Sequence, residues 1–170
     1  MTRHSSRKQA QRVALCGILL ALMLVLGFVE SLIPVAAGVP GIKLGLSNGV
    51  LIFAIYMLNI PTAFLLMALK VVLASMMYAG FGAFPYALAG GVMSLTAMAL
   101  LSRVKGMHPV TVSMVGGVMH NVGQVAMAML VLRTPRLMYY MAVLMLVGLA
   151  TGALTGICAH QVMKHWKQIR

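Results

Sequence analysis

Nearly the whole chain consists of apolar runs long enough to meet a bilayer. Six can be traced, at residues 13–33, 44–58, 62–79, 86–101, 110–132 and 137–163. A helix needs about 20 mostly apolar residues to cross the hydrocarbon core. The second and fourth runs are therefore short, and predict tilted helices or spans flanked by buried loop; a re-entrant second segment is the alternative. Only 8% of the 170 residues are charged, against about a quarter in a soluble domain. No polar stretch is long enough to fold by itself. The expectation is an all-α, polytopic membrane protein: a six-transmembrane-helix bundle over residues 13–163, with a basic tail at 1–12 and another at 164–170.

The charges are lopsided. Thirteen Lys and Arg stand against a single acid, Glu30. In a six-span scheme nine basic residues fall on the side of the termini and three (Lys43, Arg133 and Arg136) on the other, while Lys70 lies inside a span. Cytoplasmic loops carry the excess of Lys and Arg, so both termini are expected in the cytoplasm. The basic residues come in short clusters between apolar runs, which argues against nucleic acid and for anionic lipid headgroups as partners. The first run is too long for a signal-peptide core and contains Glu30, so it is expected to be retained. Cys16 and Cys158 read as small packing residues with no disulfide.

Helical spacing sorts the small and polar residues into faces. Ala14, Gly17 and Ala21 form a small-residue stripe, and at 100° per residue Ala21 and Glu30 face opposite ways. An intramembrane carboxylate belongs inside the bundle. The stripe is then free to approach another helix closely, within this chain or outside it. Gly148, Gly152 and Gly156 repeat every four residues in the sixth run and read as helix packing, with His160 next on the same line.

The fifth run carries the stretch GVMHNVGQV. His120, Asn121 and Gln124 share one face near the membrane midplane, where three polar groups form either a hydrogen-bond network between helices or a ligand site. Lys70 is equally deep, and ionisable residues at that depth point to function. With Glu30, Lys43, Ser47 and Asn48 toward the outer side, these groups can converge on an outward-open pocket, with His, Asn and Gln as its floor. The aromatic residues Tyr78, Phe81, Phe84, Tyr86, Tyr139 and Tyr140 cluster at the same side, as an interfacial belt or as the wall of that pocket. The chain has no Asp, no paired carboxylates, no phosphate-binding GxxxxGK loop and no metal-ligand spacing. A non-enzymatic binding protein without cofactor or metal is expected.

The segments ESLIP (Glu30 to Pro34), PGIKLGLSN (Pro40 to Asn48), LAGG (Leu88 to Gly91) and HNVGQ (His120 to Gln124) resemble the Gx transporter family, also labelled heptaprenyl diphosphate synthase component I. That family is grouped with the substrate-binding S components of energy-coupling-factor importers. The resemblance implies a bacterial cytoplasmic-membrane protein that captures a small molecule from outside. It also implies docking of a transmembrane T component through Ala14, Gly17 and Ala21, Gly17 departing from an all-alanine pattern, and energy from two cytoplasmic ATPases. The substrate-binding residues would be Glu30, Lys43, Asn48, Lys70, His120, Asn121 and Gln124. Lys43, Lys70 and His120 against Glu30 favour an anionic or zwitterionic ligand. Two other readings stay open. One is a non-catalytic membrane partner of heptaprenyl diphosphate synthase, since a chain without Asp cannot supply that enzyme's metal-binding motif. The other is a small proton-coupled carrier using Glu30 and His120.

Overall fold

The computed structural model describes residues 2–32 and 45–169. Every regular element among them is helical: α1 (Thr2–Ser31), α2 (Asn48–Met57), α3 (Ile60–Ala74), α4 (Phe84–Leu101), α5 (Pro109–Leu132) and α6 (Met138–Ile169). Five of the six are long and apolar enough to cross a membrane. The chain is a multi-pass helical membrane protein. The basic residues 2–12 and 164–169 continue α1 and α6 as helix.

The helix starts follow from the local sequence. Asn59 caps α3, its side chain accepting from the Thr62 amide at 2.8 Å, with Pro61 in the first turn. His108 caps α5 through Nδ1, which accepts from Val110, with Pro109 leading the helix. Both devices satisfy amides that a helix start leaves unmade, and proline fits there because its missing N–H would be unmade anyway. The end of α3 widens into a π-helical turn, Ser75–Ala79. This turn aims Tyr78 at α1, where its hydroxyl donates to the Leu24 carbonyl at 3.2 Å.

Lipid tails are as apolar as Leu, so close van der Waals packing has to hold these helices together. The α5–α6 seam shows how. A methyl group added at Gly117 would run into the Gly148 carbonyl, and one at Gly152 would lie 2.7 Å from the Ser113 carbonyl. Gly156 approaches the Ser113 side chain equally closely. On the other side of α5, Gly123 meets the Ala89 carbonyl and Gly116 meets Met98 of α4.

Both termini lie at one end of the bundle. Leu15 of α1 and Trp166 of α6 flank the same crevice there. The second run of the sequence departs from the simple picture. Its helix, α2, has ten residues, eight of them buried. Its length of about 15 Å is half of the roughly 30 Å hydrocarbon core. Gly45, three residues before it, sits against His120 in the middle of α5, and its last residue, Met57, sits beside Met163 at the termini end. So α2 is a half-span helix enclosed by the other five.

On α1 the buried residues Leu19, Met23, Gly27 and Glu30 form one stripe, while Ala14, Gly17 and Ala21 are exposed on the other side. A side chain at Gly17 would meet no atom within 4 Å.

Candidate functional site

Four helices and the approach to α2 bring the interior polar groups together at the depth where α2 begins. Glu30, 2% exposed, accepts a hydrogen bond through Oε1 from the Gly45 amide. Gly45 has φ of 81°, a conformation that an L side chain resists. A methyl group there would lie 2.8 Å from Asn48 Nδ2 and 3.2 Å from the His120 ring. The carboxylate of α1, the start of α2 and the imidazole of α5 are therefore contiguous. The sequence reading puts Glu30 and Asn48 at the outer side of a pocket and His120 on its floor; here the three lie around Gly45.

Lys70 and Tyr78 close the cluster on the α3 side. Both pack over Gly27, one turn before Glu30; a methyl group at Gly27 would meet the Tyr78 hydroxyl at 2.5 Å and Lys70 Cε at 3.5 Å. Gly27 makes room for the Tyr78 hydroxyl, and Lys70, 8% exposed, lies beside it at ordinary contact distance. On the α4 side Gly90 takes the same part. A methyl group there would lie 2.7 Å from Gln124 Cγ and 3.1 Å from His120 Cε1. Ser94, one turn further along α4, is fully buried.

Asn121 points elsewhere. Its Nδ2 donates to the Leu144 carbonyl of α6 and lies beside Gly148. It joins α5 to α6, while His120 and Gln124 face α4. Lys43 lies outside the described residues. Asn48 Nδ2, Ser94 Oγ and Asn121 Oδ1 are buried with no hydrogen-bond partner among the described residues. Among those residues no three His, Cys, Asp or Glu side chains stand close enough to hold a metal ion.

The family described as Heptaprenyl diphosphate synthase component I matches the chain over residues 19–162. The chain belongs to this family. No curated protein and no solved structure matches it. The matched span holds every member of the cluster, from Gly27 to Gln124, and all of α2 to α5.

Sequence reasoning left out Gly27, Gly45, Gly90 and Ser94 as members of the cluster. A signal exists for two of them. Gly27 lies three residues before Glu30, hence on its face, and Ser94 lies four after Gly90. Tyr78 reads from the sequence as part of an outer aromatic belt or pocket wall; its reach to α1 depends on the π-helical turn.

Proposed function

We propose that the chain is a substrate-binding membrane component of an importer: it takes a small molecule from the side opposite the termini and docks a partner helix through α1. The observation that supports this best is that Asn48 Nδ2 and Ser94 Oγ, on helices that border the Glu30–His120 cluster, are buried without a partner among the described residues. Each buried group left unmade costs roughly 1–3 kcal/mol. A bound molecule that accepts from Asn48 and exchanges a hydrogen bond with Ser94 removes that cost. Glu30, Lys70 and His120 supply both signs of charge, which suits a zwitterionic or anionic solute. The cluster is tightly packed, so loading requires a helix to move. The natural candidate is α1, which rests mainly on α3.

The exposed stripe of Ala14, Gly17 and Ala21 supports docking of a T component, which would connect the chain to two cytoplasmic ATPases. A second reading follows from the family description: a non-catalytic membrane partner of heptaprenyl diphosphate synthase, in the bacterial cytoplasmic membrane.

Affinity purification from the native membrane separates the two. The importer reading expects T component and ATPases with the wild-type chain, and their loss in the Gly17→Leu, Ala21→Leu double variant with the bundle still folded. Recovery of a soluble prenyl diphosphate synthase without ATPases would replace it with the second reading.

A further inference from the structure

A second concavity lies away from the polar cluster. Helices α1 and α6 are not packed against each other. Between them runs a crevice of about 440 Å³, floored by α2 at Gly49 and Phe53 and lined almost wholly by apolar side chains. Along α1 it extends from Leu15 to Leu26, about 16 Å. That is the depth of one leaflet of a roughly 30 Å hydrocarbon core. Its lips, Leu22 and Leu154, are 45% and 59% exposed, so it opens sideways to lipid.

Its length and lining suit a lipid tail. A hydrocarbon chain that reaches from the interface to the middle of the membrane matches both, and the sideways opening lets it enter from the bilayer. The crevice also has a polar end. Trp166 closes it at the termini side, held edge-on against Phe53 with ring centroids 6.2 Å apart. Tryptophan prefers the membrane–water interface, where a lipid head lies. Arg12 stands one turn before Leu15 on the same side of α1, and His165 adjoins Trp166. The chain's only acid, Glu30, is buried beyond the far end of the crevice. A cation at the mouth and no nearby anion suit a negatively charged phosphate head.

We propose that the α1–α6 crevice binds the single hydrocarbon tail of an anionic, phosphate-headed lipid, entering from the leaflet at the termini end with its head beside Arg12. The tail can belong to a phospholipid or to a prenyl phosphate; both present the same chemistry to this site. The site is independent of the solute site proposed above.

The full chain, reconstituted separately with phosphatidylglycerol, phosphatidylcholine or geranylgeranyl monophosphate and re-extracted into detergent, is weighed by native mass spectrometry. One anionic lipid per chain is expected to survive extraction. Retention should fall at least fivefold in Leu154→Trp or Leu22→Trp, which fill the slot from either lip, and severalfold in Arg12→Gln. Both lip positions face lipid, so circular dichroism should show an intact bundle, and two independent variants guard against failure of one. Cys158, which lines the crevice, gives a second readout. In a Cys16→Ser chain its reaction with a maleimide should slow at least threefold when the slot is filled. The relative retention of phosphatidylglycerol and the prenyl phosphate identifies the source of the tail. Equal retention by wild type and both lip variants, equal retention of phosphatidylcholine, or unchanged Cys158 reactivity overturns the proposal.

Discussion

Asn48 and Asn121 are the same side chain in opposite situations. Asn121 spends its amide on the Leu144 carbonyl and so ties α5 to α6. Asn48 Nδ2 has no partner among the described residues. Asn121→Ala should therefore lower stability, by about 0.5–1.5 kcal/mol for one lost interhelical bond, seen as an earlier thermal melt in detergent without ligand. Asn48→Ala should leave that melt unchanged and cut retention of a co-purified solute roughly two- to tenfold, the worth of one hydrogen bond. The reverse order would make Asn48 the structural residue and remove it from the site. Gly45 adjoins Asn48 and His120. Gly45→Ala forces a side chain into a left-handed backbone at about 1–2 kcal/mol and pushes on Asn48 and His120. It should lower melting temperature and solute retention together, whereas Gly17→Ala should alter neither.

At the scale of the helix, glycine marks where backbones touch. Gly152→Val would drive a branched side chain into the Ser113 carbonyl and the Met114 Cα of α5. Overpacking against backbone has no flexible atom to yield, so a loss of about 3 kcal/mol or more is expected, measured as loss of the folded fraction after detergent extraction. Gly17→Leu on open surface should cost the isolated chain nothing measurable. The sequence makes much of this visible. The four-residue spacing of Gly148, Gly152 and Gly156 is a packing signal, and the opposition of Ala21 and Glu30 sets the inner and outer sides of α1. That the second run is short was legible; where its helix begins was not, because that is fixed by the Gly45 turn and its bond to Glu30. Glu30 and His120 could be assigned to one pocket, but not to one depth, since depth along two different helices is set by tilt and packing, which composition does not encode. Lys70 and His120 could be recognised singly as costly intramembrane groups; which glycine each one rests on could not.

For the whole molecule, the enclosed position of α2 has a consequence for how the protein is made. A membrane helix usually enters lipid by itself and associates afterwards. Here α2 is half the thickness of the core and carries Asn48 at its start, so it is a poor guest for lipid. Its largest partner is α6, which leaves the ribosome after the other five. During synthesis α2 must wait, with its polar start unsheltered by α5 and α6, until the α5–α6 hairpin arrives. A chain cut after residue 107 should accordingly insert α1, α3 and α4 yet leave a cysteine placed at Val50 open to a membrane-permeant thiol reagent, while the complete chain protects it. Protection in the shortened chain would show that α2 seats without its last partner. On this schedule the α5–α6 hairpin acts as a checkpoint on assembly, and quality-control proteases would meet the half-span segment first in any chain whose synthesis stops before it.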